Sequence, residues 1–287
     1  MTAGRLFRLA AFAAAFALCG AVAAAQTPPP AAIQPSPSPT PGLSDPCGSI
    51  LSIVNRPTVT TGTCTVRTGN FDLENGYTNT TITGLGGGSG ANYPQSLIRI
   101  GTADPHFDLE FGPPSLQTST AGVPRVTGSS DVNMGAKYEL GYSTRWLYGV
   151  NGVVTFPTGA QAFTAGGTQY TGNLNWGYTV NSIIGLDGSL SFNSFSGCGT
   201  AHDAQSYFAF VPSLEVTASL PGPAEFFGEY AYFSQAGVGL GSKSLIDFGY
   251  VRDLGAHVQL DVEWGFSPTL LAGQKQHYIG AGASLML

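Results

Sequence analysis

"AHVQLDVEWGF", residues 256–266, sets His257, Gln259, Asp261 and Glu263 at alternate positions between Val258, Leu260, Val262, Trp264 and Phe266. In an extended chain successive side chains point to opposite faces. This segment therefore carries one face suited to water and one suited to an apolar medium. Only 10% of the chain is charged, so gathering four polar side chains on one face is a pattern and not scatter.

The same alternation recurs from Gly69 onward. In "QSYFAFVPSLEVT" one face carries Phe208, Phe210, Leu214 and Val216, the other Tyr207, Ala209, Ser213 and Glu215. "YTGNLNWGYTV" sets Tyr170, Leu174, Trp176 and Tyr178 against Thr171, Asn173, Asn175 and Thr179. "SDVNMGAKYEL" and "IIGLDGSLSFN" read the same way. A helix would repeat its apolar residues at three and four instead. Twelve such segments fall near 70–83, 94–102, 106–112, 130–142, 145–156, 168–179, 182–194, 205–219, 223–234, 243–252, 256–266 and 276–287. An even number is what single-chain bacterial barrels use.

The connections sort into two classes. Links after the even segments are the short "ADP", "ST", "VN", "PG" and "DLG"; those after the odd ones are longer and rich in Gly, Ser and Thr, such as "GLGGGSGANY", "PPSLQTSTAGVPRVTGSS", "PTGAQAFTAGGTQ" and "SGCGTAHDA". Short periplasmic turns and long external loops are the rule for transmembrane barrels. The fold class expected is all-β, a transmembrane antiparallel barrel of about twelve strands. Its apolar face meets outer-membrane lipid and its polar face a lumen.

On that phase Asp72, Glu74, Asp108, Glu110, Asp131, Glu139, Asp187, Glu215, Glu225, Glu229, Asp247, Asp261 and Glu263 point inward, thirteen of the 17 acidic residues. Slipping a strand by one residue would push carboxylates into hydrocarbon at about 1–3 kcal/mol each. Arg99 and Lys137 face the acids from the same lumen, and Phe227 and Phe233, with Tyr207 and Tyr278, are its apolar stepping stones. Pro212 lies mid-strand, where it removes a ladder donor, and predicts a bulge or break.

The ends and the composition agree. "MTAGRLFRLAAFAAAFALCGAVAAAQ" places Arg5 and Arg8 before a short apolar run ending in small residues, a secretory signal peptide cut near Ala25. Cys19 follows Leu18, where lipoprotein processing calls for a small residue, so the non-lipidated reading is preferred. Beyond it no run of about 18 apolar residues exists, which excludes a helical membrane protein. Gly, at 40 of 287 residues, is roughly twice its usual share. The formal charge of −6 becomes −8 when Arg5 and Arg8 leave with the signal. That excludes nucleic acid as a partner, because phosphate binding needs clustered Lys and Arg.

The expected organisation is a signal peptide over 1–25, a Pro-rich linker over 26–44, a lead-in segment over 45–68 that is either a plug or a periplasmic stem, and a barrel over 69–287. Export permits disulfides, and Cys47 and Cys64 can close a short loop ahead of the barrel. Cys198 is left over; its spacing to His202 and Asp203 matches no metal motif. No metal and no cofactor are expected. The final "HYIGAGASLML" puts Ile279, Ala281, Ala283, Leu285 and Leu287 on the lipid face. It resembles the C-terminal signal read by the barrel assembly machinery during biogenesis, with Leu287 where Phe is usual.

"RPTVTTGTCTVRTGNFDLENGY", "LIRIGTADPHFDLEFG", "SDVNMGAKYELG", "VVTFPTG", "FFGEYAYF" and "DFGYVRDLGAHVQLDVEWGF" resemble, in the same order, the outer-membrane barrels grouped as transporters of the meta-pathway of phenol degradation. The likeness spans about residues 56–287. It implies a transporter of small, often aromatic compounds in the outer membrane of a Gram-negative bacterium. The Pro-rich linker, the Cys47 and Cys64 pair and the terminal Leu depart from the usual pattern.

The functional expectation is a non-enzymatic channel for passive or facilitated uptake of a small-molecule solute through an acidic lumen that favours cations. A hydrophobic aromatic fits such a passage poorly unless it leaves sideways into the membrane. One alternative is a barrel hydrolase or lipase, which needs a Ser and an oriented His; only His277 is suggestive, and no GxSxG occurs. A structural or adhesive barrel is the other. The Gly-rich "GLGGGSG" lacks the Lys and helix of a phosphate loop and reads as a flexible external loop.

Overall fold

The computed structural model describes residues 45–84, 87–120, 125–198, 204–269 and 274–287. The expected signal peptide and Pro-rich linker, Cys19, and the Cys198 side chain with His202 and Asp203 lie outside the described residues.

Among the described residues a single helical turn, α1 (Ile50–Ile53), precedes fifteen strands. They are β1 (Phe71–Thr83), β2 (Gly88–Tyr93), β3 (Leu97–Gly101), β4 (Phe107–Gly112), β5 (Leu116–Ser119), β6 (Val126–Ser129), β7 (Val132–Tyr142) and β8 (Trp146–Phe156). Then follow β9 (Gln169–Thr179), β10 (Ile184–Cys198), β11 (Ala204–Leu220), β12 (Ala224–Phe233), β13 (Lys243–Asp253), β14 (Val258–Thr269) and β15 (Lys275–Met286). Twelve of them, β1, β3, β4 and β7 to β15, form an antiparallel ring, because β15 pairs back onto β1 from Asp72↔Met286 to Thr83↔Lys275. Closure leaves no free edge in the ring, the condition for crossing lipid in strands.

The remaining three strands correct the loop reading. Gly88–Tyr93, Leu116–Ser119 and Val126–Ser129, taken from sequence as external loops, instead extend the wall above β3, β4 and β7: β2 pairs with β1 and β5, and β5 with β6. Pro94, Pro113 and Pro114 interrupt the alternation between the lower and upper pieces. A proline has no N–H to give the ladder, so the period breaks in sequence although pairing resumes beyond it.

Of the two outcomes expected at Pro212, the structure shows a break in one ladder and no bulge. The register of β11 with β10 runs without a shift from Ile184↔Ala218 to Cys198↔Ala204, with Leu190 opposite Pro212. On the other side, the ladder with β12 runs to Ser213↔Ala231, is interrupted at Pro212, and resumes where the Ser234 N–H donates to the Phe210 carbonyl at 3.0 Å. Pro212 thus interrupts one ladder without bulging the strand. The register shifts occur at Glu139/Gly141 and Ser244/Ile246 instead.

The outer face is apolar and uncovered: Leu140 is 60% exposed, Phe208 56%, Ile279 55% and Val262 52%. Such a band is tolerable only against lipid. Near the short-turn rim, Trp146 stacks on Tyr148 and sits 4.5 Å from Tyr178 between ring centroids, with Phe226 and Tyr250 paired at 5.1 Å. Aromatics of this kind mark a membrane interface.

Among the described residues one buried apolar cluster is built by the lead-in segment and a second by strand residues that the lead-in segment touches. Cys47, Ile53, Cys64 and Val66 pack together against Leu147 and Met286, and Val59 packs against Ala231, Leu245 and Tyr278. Ser49 and Ser52 cap α1 reciprocally, which satisfies its first N–H groups. Cys47 and Cys64 form a disulfide, S–S 2.03 Å. Closing that loop contributes on the order of 3 kcal/mol.

Candidate functional site: a divided acidic lumen

The inner face is polar because the strand period puts every second side chain there, and the lead-in segment is bonded to it throughout. On the side formed by β1, β3, β4 and β7, acids and bases alternate across the strands. Register places Asp72 opposite Arg99, Arg99 opposite Glu110, and Asp108 opposite Lys137. Arg99, wholly buried, lies 2.6 Å from Asp108, 3.6 Å from Glu110 and 3.9 Å from both Asp72 and Glu74. It also donates to the Ile53 carbonyl at 2.5 Å and the Cys64 carbonyl at 2.7 Å. Lys137 donates to Asn55 Oδ1 at 2.8 Å. Asp108 accepts from the Val66 N–H at 2.8 Å and Glu74 from the Asn55 N–H at 3.1 Å.

Glu139 closes this side at the rim, held by Arg67 at 2.9 Å and by His106 at 3.2 Å. Arg67 also binds Asp45 through two hydrogen bonds, at 2.5 and 2.9 Å. Burial pushes the Asp45 carboxyl up, but the Arg67 guanidinium and the Cys47 N–H outweigh it and hold it below its ordinary value. Burial likewise pulls the Arg67 guanidinium down, and its bonds to Asp45 and Glu139 more than restore it, leaving it raised.

On the side formed by β10 to β14 the acids face one another. Asp187 lies opposite Glu215, Glu215 opposite Glu229, and Glu229 opposite Asp247, so four carboxylates form one row across four strands. Glu229 accepts the Val59 N–H at 2.7 Å and also the Thr60 N–H. Asp247 accepts the Tyr278 hydroxyl at 2.6 Å. Asp261 meets Arg56 at 3.4 Å. Glu225 and Glu263 are half-buried on the same inner face. Phe227, 4% exposed, lies among them. Asp131 stands apart: it sits between β6 and β7 and accepts the Gly159 and Ala165 N–H groups, holding an external loop.

Arg56 reaches the seam of the barrel. Gly76 and Gly282 are opposite each other on β1 and β15, and a Cβ on Gly76 would collide with the Arg56 guanidinium. Only bare backbone leaves room for it there. Arg56 also donates to Gln95 at 3.2 Å.

Sequence reasoning assigned cations to the lumen only at Arg99 and Lys137. Arg56 and Arg67 join them from the lead-in segment, a contribution that strand periodicity does not see because neither residue is on a strand. The signal available was their charge in a chain so poor in charge.

The lead-in segment divides the interior. A cavity of about 840 Å³ toward the long loops is lined by Asn92, Gln95, Gln117, Asn133, Gln169 and Gln276 among others, and a second of about 250 Å³ toward the short turns includes Asp187, Glu215 and Glu225. Asn55, Arg56, Pro57 and Thr58 line both.

No family model matches the chain, and no curated protein matches its sequence. Solved structures do. An outer-membrane channel from Pseudomonas putida F1 superposes with a TM-score of 0.62 at 11% identity, covering 78% of this chain and 98% of that one. The NanC porin gives 0.49 at 10% identity over 75% and 98% of the two chains. The KdgM porin gives 0.46 at 11% over 74% and 98%. The chain has the fold of an outer-membrane barrel.

Proposed function

We propose that this chain is an outer-membrane channel for small molecules in a Gram-negative bacterium, in which residues 45–68 act as a plug that constricts the passage. The observation that carries this is the division of one polar lumen into two cavities by Asn55–Thr58. The apolar outer band and the fold shared with the Pseudomonas putida channel support the membrane setting. The unbalanced acids along β10 to β14 favour cations over anions. The motif resemblance adds small, often aromatic cargo to this reading.

A hydrolase gains no support. His277 is exposed on the outer face, opposite Thr81 and Phe266, with no serine across from it.

The test is single-channel current in a planar bilayer, with the reversal potential read across a salt gradient. The expected result is a small cation-selective conductance that grows in Arg56→Ala and loses selectivity when Asp261 and Glu263 become Asn and Gln. A folded barrel that stays silent in every variant points to a structural role and refutes transport.

A further inference from the structure

We propose that the smaller cavity, between the lead-in segment and strands β10 to β14, is a binding site for a small organic ammonium compound with an apolar body. This deepens the channel reading, and rests on it only in calling that compound a cargo.

The row Asp187–Glu215–Glu229–Asp247 places like charges directly opposite one another three times in succession, an arrangement that destabilises a sheet unless something compensates. Half of the row is compensated from within. Glu229 takes backbone N–H groups from the lead-in segment and Asp247 the Tyr278 hydroxyl. Asp187 and Glu215 receive no hydrogen bond and no ion pair among the described residues, and both line the cavity, as does Glu225.

A second observation points the same way. Gln259 is 1% exposed, lines this cavity, and its Oε1 has no donor. A buried acceptor left unpaired is costly. Four acceptors thus surround one cavity. Among the described residues the one cation on its wall, Arg56, is directed to Asp261 and Gln95.

What is missing is a donor that carries positive charge. The spacing argues against a metal ion: among the described residues no three His, Cys, Asp or Glu side chains converge closely enough to hold one. An ammonium group suits spaced acceptors, since it offers three N–H donors and needs no fixed coordination. The rest of the wall includes Leu147, Phe227 and Val251, apolar surface that a hydrated metal ion would not use. A volume of about 250 Å³ holds about eight waters at about 30 Å³ each, the size of one ring with a short arm. A cation placed over an aromatic face such as that of Phe227 gains further.

The experiment is calorimetric titration of the purified full-length protein with benzylamine, with its neutral isostere benzyl alcohol, and with calcium chloride. Benzylamine is expected to bind at one site, at least tenfold tighter than benzyl alcohol, and to weaken at least tenfold in Asp187→Asn/Glu215→Gln. Thr217→Lys is the second variant: Thr217 lies two residues from Glu215 and lines the same cavity, so its ammonium fills the site from within and abolishes benzylamine binding while the barrel stays folded. Equal affinity for the alcohol, undiminished benzylamine binding in both variants, or calcium binding without benzylamine binding would each overturn the proposal. Conductance of the same preparation is read separately. Current without benzylamine binding removes this site and leaves the channel; binding in a silent barrel removes the channel and leaves the site.

Discussion

The two sides of this lumen are built from the same residue types and differ in who stands opposite whom. Across β1, β3, β4 and β7 an acid meets a base at each step, and Arg99 alone touches four carboxylates. Across β10 to β13 an acid meets an acid three times. The first side brings its cations against its acids within the wall, although Asp72, Asp108 and Glu110 each keep a buried carboxylate oxygen without a hydrogen-bond partner among the described residues. The second is completed by backbone N–H groups of the lead-in segment at Glu229 and is left open at Asp187 and Glu215. Charge that is neutralised within the wall holds structure, and charge that is not is available to a solute or to a movable segment.

The sharpest way to break this contrast is to take the base out of the balanced side. Arg99→Met leaves Asp72, Glu74, Asp108 and Glu110 with Lys137, 3.9 Å from Glu110, as the remaining cation beside them, and removing one partner from a buried pair costs about 3–5 kcal/mol. The expected outcome is a barrel that unfolds at markedly lower urea in lipid vesicles. A midpoint equal to wild type would mean that the network is not what holds this wall.

Replacing both cysteines, Cys47→Ser with Cys64→Ser, frees the loop that packs against Leu147 and Met286. A loss of about 2–4 kcal/mol is expected, confined to residues 45–68. Amide exchange of that segment should accelerate while the strands stay protected.

Glu229→Gln removes the charge from the bonds to Val59 and Thr60 and is expected to cost about 1.5–3 kcal/mol, read as faster exchange at those two amides. Glu215→Gln, its neighbour in the same row, should do the opposite. Relieving two like-charge contacts is expected to raise the free energy of unfolding by about 0.2–1 kcal/mol. A destabilising Glu215→Gln would show that the row is not repulsive.

The smallest effect concerns Asp45 and Arg67. Because the folded Asp45 carboxyl lies below its ordinary 3.8, its contribution is complete above that pH and is lost as pH falls through the lower folded value. Proteolysis near the disulfide should therefore be unchanged between pH 7 and 5 and increase only below 3.8, and Asp45→Asn should remove that step.

Much of the architecture is legible along the chain. Alternation marks the twelve barrel strands, and loop length tells the two rims apart. The upper pieces at Gly88–Tyr93, Leu116–Ser119 and Val126–Ser129 are not legible, since prolines interrupt the period just where the ladders pause. Pro212 is half legible: its missing N–H interrupts the β12 ladder, as a strand proline should, but pairing resumes at Phe210 and Ser234, so no bulge is needed. Arg56 and Arg67 escape a reading based on strand faces because they act from a segment with no period at all.

The sequence by itself determined which side chains share a face, because that follows from the stereochemistry of each extended segment and needs no partner. Only the tertiary structure decided that Arg99 would meet Asp72 and Glu110 while Glu215 would meet Asp187 and Glu229. Cross-strand neighbours are set by the register of every ladder at once as β15 closes onto β1, and the lead-in segment can choose its acids only after that ring exists.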